Sequence, residues 1–393
     1  MSLYDEAVLL QKPSGYKAEK LYNVKPSPEV SEQSSVEFDG VDDYLAVDDI
    51  TFSAGQTISM WINPTELDNY RSLFGKDATS SYVRLISGSE DKGFEGETDT
   101  NGDFFTLQSS NIVFVEGEWA HLVLVWNDDQ TWTMYCDGIE EATSSATTDN
   151  TMTISYFGVG YSSSPFYGKM SDVAIFSREL SAADVKEIYN YGSPNDLLET
   201  SFVNDLESYY QMGDGILDEY PLIADQTDAT LGSEMVTNGD FDGNANDWYL
   251  GTGWAYGSNT INATSSSSVA IQEIAAIGSG KMYIVTYEVS NYSAGNVQWR
   301  FGGTGTVDGT TRSANGTYSE YFNNTSTGDK NLFISGSGFT GSIDNVSVKE
   351  VQGNPATMTN MSSDDIVAWT PNIETDFDVA RSSTTTRINA SGY

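Results

Sequence analysis

Residues 168–192, GKMSDVAIFSRELSAADVKEIYNYG, constrain this chain more than any other stretch. The first half reads as a strand, with Val173, Ile175 and Phe176 following a Gly-Lys-Met lead-in. The second half reads as a short helix. Ser181 is placed to accept from the backbone N–H three residues on and Asp184 to reach back, the reciprocal arrangement of a capping box. Val185, Ile188 and Tyr189 give the helix one apolar stripe, and Gly192 then Pro194 are its expected stop. A last core strand followed by one small surface helix is how an antiparallel sandwich closes.

The segments before it fit the same plan. SVEFDGVDDYLAV offers two short strands around an Asp-Gly turn. In TISMWINP, Ile58, Met60 and Ile62 share one face and Ser59 and Trp61 the other. WAHLVLVW is apolar on both faces, as a central strand is, and Asn127-Asp128-Asp129-Gln130 turns it into TWTMYCDG as a hairpin. Together these segments resemble the laminin-G-like, or concanavalin-A-like, jelly roll. Gly117, Glu118, Trp119, His121, Trp126, Tyr135, Asp137 and Gly138 fall on its marked positions. Cys136 stands where that family usually carries an aliphatic residue, a place for a small buried thiol.

With 393 residues the chain is long enough for two or three domains. The first sandwich is assigned to residues 34–192 and an ordered linker to 193–232. A second sandwich, residues 233–352, opens with MVTNGDFDGNANDWYLGTGWAYG and ends with GFTGSIDNVSVKEV, with YIVTYEVS, VQWRFGG and NLFISGS between. It resembles the galactose-binding-like jelly roll of carbohydrate-binding modules that accompany xylanases and cellulases. Asn238, Gly239, Asp240, Phe241, Trp248, Ile343, Asp344, Asn345 and Val346 carry that resemblance. The expected fold class is therefore all-β: two tandem antiparallel β-sandwich (jelly-roll) domains with extended N- and C-terminal arms.

The arms are residues 1–33 and 353–393. The first is near neutral and carries Leu3, Tyr4, Val8, Leu9, Leu10, Tyr16, Leu21 and Tyr22, more large apolar groups than a freely solvated tail holds. Docking on another subunit is the expectation. In the second, DFDVARSSTTTRINASGY is similar to a stretch of fibre and appendage proteins of tailed bacteriophages. That resemblance implies a virion component, a head decoration, fibre or tail appendage. It would be homo-oligomeric and joined to other virion proteins through its arms. The alternative is a secreted or cell-surface bacterial carbohydrate-binding protein, and a further one a glycoside hydrolase.

Charge narrows the partners. Against 18 basic residues stand 57 acidic ones, a formal net charge of −39, which repels nucleic acid and anionic membranes. Neutral ligands, divalent cations and basic protein surfaces are favoured instead. One cysteine, Cys136, excludes an internal disulfide. The opening MSLYDEAVLLQKPSGYK reads as neither signal peptide nor membrane span. Sequons at Asn262, Asn324 and Asn345 are the ordinary product of a Ser/Thr/Asn-rich chain.

Three kinds of chemistry have candidate residues. Retaining glycoside hydrolysis needs two carboxyls about 5 Å apart, one acid and one nucleophile. The nearest approach, Glu95-Gly96-Glu97-Thr98-Asp99, is Gly-flanked and reads as a solvated turn. His121, the only histidine, would have to anchor any triad or His-rich metal site; inside WAHLVLVW it reads as structural. A structural calcium has oxygen donors in Asn238-Gly-Asp240-Phe-Asp242-Gly243-Asn244-Ala-Asn246-Asp247, with Tyr249 where an EF-hand would place its glutamate. Asp240, Asp242 and Asp344 are the candidate ligands, and Asp99-Thr-Asn101-Gly-Asp103 is a second acidic loop. Sugar binding needs flat aromatic faces beside groups that bond hydroxyls. Trp254 and Tyr256 in a Gly-rich turn, with Trp299, Gln298 and Arg300, are candidates in the second sandwich. On the strand Trp299 faces away from Gln298 and Arg300, so the three cannot line one cleft. Trp248 is assigned to the core. Tyr82 and Arg84, with Tyr161, Phe166 and Tyr167, are the candidates in the first sandwich.

Overall fold

A computed structural model describes residues 33–67, 70–77, 81–86, 92–98, 103–109, 114–144, 151–160, 164–302, 306–326 and 330–370. In chain order the first sandwich contains β1 (Ser34–Asp39), β2 (Tyr44–Phe52), β3 (Gln56–Pro64), β4 (Arg71–Asp77), β5 (Ser81–Ile86) and β6 (Lys92–Glu97). β7 (Phe104–Ser109), β8 (Ala120–Trp126), β9 (Trp132–Cys136), β10 (Ile139–Thr143), β11 (Met152–Phe157) and β12 (Tyr167–Phe176) follow. Then come helix α1 (Ala182–Tyr189), β13 (Leu206–Tyr210) and β14 (Leu222–Ile223). The second sandwich holds β15 (Tyr249–Leu250), β16 (Trp254–Gly257), β17 (Thr260–Ser266), β18 (Val269–Glu273), β19 (Met282–Phe301), β20 (Val307–Asp308), β21 (Gly316–Asn323) and β22 (Asn331–Glu350). The chain then returns to the first sandwich with β23 (Ala356–Thr359) and β24 (Ile366–Ala368).

The all-β class is as expected, with every strand pair antiparallel among the described residues. One sheet of the first sandwich, here called the covered sheet, runs β10-β9-β8-β3-β12-β1-β24, with β13 also on β12. The other, the open sheet, runs β14-β23-β2-β11-β4-β5-β6-β7. Between them lies one core. Ile58, Met60 and Ile62 enter it from β3 while Ser59 and Trp61 point the other way, as the alternation required. Phe105 stacks on Trp132 at 4.2 Å and Trp132 on Trp126 at 4.5 Å, and Cys136 sits fully inside as a small apolar group.

Two boundaries differ from the expectation. Residues 193–232 are more than a linker: Leu206–Tyr210 pairs with β12. Tyr210 and Met212 enter the main core while Tyr209 joins the cluster under α1. A strand buried on both faces shows no polar alternation, which hid its period. Residues 353–370 are not an extended arm either. β23 lies between β14 and β2, with Ala356 and Met358 inward, and β24 pairs with β1. The second sandwich is thus inserted between two strands of the first. The remaining parts of the arms, 1–32 and 371–393, lie outside the described residues.

In the second sandwich YIVTYEVS and VQWRF belong to one strand. β19 and β22 each run 20 residues and pair with each other through several register shifts. Left-handed residues at Asn291, Gly295 and Gly338 let the paired strands bend. The core holds Trp248, Trp254, Trp299, Tyr283 and Tyr287. Met282 and Val351 pack against Leu222 of β14, and Lys281 reaches Asp48 at 3.5 Å, so the two sandwiches share a small apolar seam.

Helix α1 forms as its cap required. Ser181 Oγ accepts from Asp184 N and Asp184 accepts from Ser181 N at 2.9 Å. The stop comes before Gly192, at Asn190 in the left-handed conformation. No helix among the described residues is long and apolar enough to cross a membrane.

Candidate functional site

The candidate site is the outer face of the open sheet. On β5, Val83 and Leu85 enter the core, so Tyr82 and Arg84 stand on the outer face. β6 was expected to be a turn and is a strand; this corrects the reading of 95–99, whose last residue lies outside the described set. Its glycines mark close packing, not a loop: a Cβ on Gly96 would meet the Phe105 ring at 2.6 Å, and one on Gly93 would run into the Leu107 carbonyl. Phe94 points inward, so Glu95 and Glu97 share the outer face, opposite Arg84 and Tyr82. On β7, Phe105 and Leu107 are core and Phe104 and Thr106 are outside.

Arg84 is the hub. Its Nε donates to Glu95 Oε1 at 2.6 Å, and its guanidinium also forms an ion pair with that carboxylate. The guanidinium carbon lies 4.0 Å from the centre of the Tyr70 ring and 5.3 Å from that of Tyr82. Tyr70 is 42% exposed and Phe104 47%. Tyr82 is buried and serves as the floor under Arg84. Further along, Tyr156 of β11 meets Tyr44 of β2 edge-on at 5.2 Å, both half-buried. The structure therefore brings Tyr82 and Arg84 together as candidates. It adds Tyr70, Glu95, Phe104 and Tyr156. Phe166 is core, Tyr167 pairs with Asp39 on the covered sheet, and Tyr161 lies outside the described residues.

The second-sandwich candidates do not converge. Trp254 was expected on the surface and is 6% exposed, with its indole N–H bonded to Ser268 O at 3.2 Å. The turn at Gly253, φ 85°, aims it into the core. Trp299 is also core, and its N–H donates to Glu320 at 2.6 Å. Arg300 faces out and pairs with Asp308 at 2.7 Å. Tyr256 is exposed and bonds Asn259 at 3.0 Å.

The 238–247 loop is held by hydrogen bonds of its own. Asn238 Nδ2 donates to Asn244 O, Asn244 Oδ1 and Asn246 O at 3.0–3.2 Å. Asp240 accepts from the Asp242 amide and Asp242 from Asn259, so the carboxylates turn to separate partners. Asp344 is held above the usual carboxylate range, by burial first and then by Glu288 and Asp240 nearby. Among the described residues only Asp39, Asp42 and Asp43 bring three carboxylates together, in the turn between β1 and β2. Asp43 accepts from the Asp39 amide at 2.9 Å, and burial lifts its carboxyl to about 6. Of the second acidic loop only Asp103 is described.

His121 is buried on the other side of the sandwich, facing α1. Its Nε2 meets Ser59 Oγ at 2.8 Å, and burial pushes its pKa down to about 3. Trp61 and Tyr189 stack beside it. Asp172 lies in the same layer, bonded by Ser171 Oγ and Tyr209 O–H at 2.6 Å each, and burial raises it to about 7. Ser59 and His121 are closed off from solvent, so this grouping has no access for a substrate.

Residues 39–186, less than half of the chain, match the Laminin_G_3 family model, described as the concanavalin A-like lectin/glucanases superfamily. They form a lectin-like jelly roll. A putative carbohydrate-binding protein of Bacteroides ovatus aligns at 20% identity over 50% of this chain and 56% of its own, TM-score 0.37. A heptameric SAP-like pentraxin of Limulus polyphemus aligns at 13% over 40% and 82%, TM-score 0.35. The CBM40 of a Ruminococcus gnavus sialidase, bound to α2,3 sialyllactose, aligns at 14% over 39% and 96%, TM-score 0.30. No curated protein matches the chain.

Proposed function

We propose that this protein is a non-enzymatic glycan-recognition component of a tailed-phage particle. It would present its first sandwich outward and attach to other virion proteins by its two ends. The open face around Arg84 carries the binding half of the reading. Exposed rings beside a guanidinium and two carboxylates are the groups that grip pyranose C–H faces and hydroxyls. Glu95 is engaged by Arg84 through an ion pair and a hydrogen bond, the arrangement of a held recognition group. The phage-like C-terminal stretch supports the virion half. Trp369 N donates to Gln33 O at 2.7 Å, so residues 33 and 369 lie side by side on the covered sheet.

A glycan array tests the first half: binding by the wild type and its loss in Arg84→Ala is the expected result. Release of reducing ends from any bound glycan would replace it with the hydrolase reading. Immunogold electron microscopy of particles tests the second half, together with a partner-dependent oligomeric state. Protein confined to a bacterial surface would favour the carbohydrate-binding alternative, which uses the same face.

A further inference from the structure

The register across the open sheet places its side chains in one row. Tyr156 of β11 pairs with Gly75 of β4, Gly75 with Tyr82 of β5, Tyr82 with Glu97 of β6, and Glu97 with Phe104 of β7. Aromatic rings thus fall on every second strand, at intervals of about 10 Å for strands about 4.8 Å apart, with Phe104 and Tyr156 reaching the surface at the two ends and Tyr82 buried as the floor between them. The row from Tyr156 to Phe104 crosses four strand spacings, about 19 Å. Gly75, with no side chain, keeps the row low between Tyr156 and Tyr82. A Cβ there would press on the backbone of Ser81 and Tyr82. The neighbouring row holds Arg84, Glu95 and Thr106, which place a guanidinium, a carboxylate and a hydroxyl alongside the rings.

The charge along these rows is just as specific. The Arg84 cation is matched by Glu95 and covered by Tyr70. Glu97, half-exposed, is the next acid along the first row. Lys76 is matched by Asp49 at 2.8 Å. An anionic ligand would meet no uncompensated cation among these residues and would meet Glu97, on a chain of net charge −39.

Resting on the glycan reading above, we infer that the ligand is an uncharged, extended glycan segment lying across the strands. It is neither an acidic sugar nor a single terminal residue. A pyranose in an extended chain advances by about one strand spacing, ~5 Å, so the row accommodates about four units.

The test is calorimetric titration of the full chain with two sets of probes. One is neutral gluco-, xylo- and arabino-oligosaccharides of one to six units. The other is sialyllactose and oligogalacturonates. Affinity is expected to climb with neutral chain length up to about four units, then level off, and to change less than twofold between low and high salt. Phe104→Ala and Tyr156→Ala each lose about tenfold for the tetramer and little for the monomer. Tyr249→Ala, on the exposed surface of the second sandwich, changes nothing. Binding of an acidic probe, or monomer affinity equal to tetramer affinity, with loss in Phe104→Ala, overturns this inference and leaves the glycan reading standing. Silence toward every probe, or binding untouched by Arg84→Ala and Phe104→Ala, overturns both.

Discussion

The two sheets of the first sandwich have the same strand count and opposite outer faces. The covered sheet carries α1 and the 197–205 segment. Val123, Val125, Ala174, Phe176, Val185, Ile188 and Phe202 close into a second apolar cluster, and even His121 is taken inside. The open sheet puts Tyr70, Phe104, Arg84, Glu95 and Glu97 on its outer face, with no helix over them among the described residues. One face is thus spent on stability and the other is left for recognition. Mutations should therefore separate the two: large stability changes without binding loss on one side, binding loss at small stability change on the other.

The largest effect is expected on the covered side. Ile188→Ala should lower unfolding free energy by about 2–5 kcal/mol, read from the denaturant midpoint, with glycan affinity of the folded fraction unchanged. Equal loss of binding would break the comparison.

Acidity comes next. Burial raises Asp172 to about 7 and Asp43, Asp214 and Asp218 to about 6. A carboxyl with a higher pKa folded than unfolded costs stability once both states ionise. The cost is absent below about 4 and complete above the folded values. Stability should rise as pH falls from 8 to 5, and relief of the −39 charge acts in the same direction. Asp172→Asn should flatten the upper part of that curve, between about 6 and 8. A stability maximum at pH 8 would contradict the assignment.

On the open side, Arg84→Met leaves Glu95 without its cation and should cost about 1–3 kcal/mol. The double variant Arg84→Met/Glu95→Gln should regain most of that stability and none of the binding, which sharpens the separation. Ser181→Ala should cost about 1 kcal/mol through the lost cap. Phe104→Ala should stay within about 0.5 kcal/mol of wild type while losing affinity.

The sequence made the covered side easier to read than the open one. The α1 cap, the alternation in β3 and the apolar run of β8 are local signals, each tied to one element. β6 was hidden because its glycines answer to Leu107 and Phe105, residues on a neighbouring strand that composition cannot show. Tyr82 and Arg84 were legible as a pair on one strand. Tyr70, Phe104 and Tyr156 join them only through the order β11-β4-β5-β6-β7, which non-local pairing decides. Trp254 misled for a related reason: a Gly-rich turn reads as surface, yet the positive φ at Gly253 points the ring inward. β23 and β24 read as an arm in the sequence because more than a hundred residues separate them from their partners in the chain.

The most direct measurement is a crystal structure of the full chain with a neutral tetrasaccharide. The account predicts sugar density on the open sheet, crossing from β11 to β7 with rings against Tyr156 and Phe104 and hydroxyls on Arg84 and Glu97. Sugar found only on the second sandwich, or against the α1 side, would contradict it.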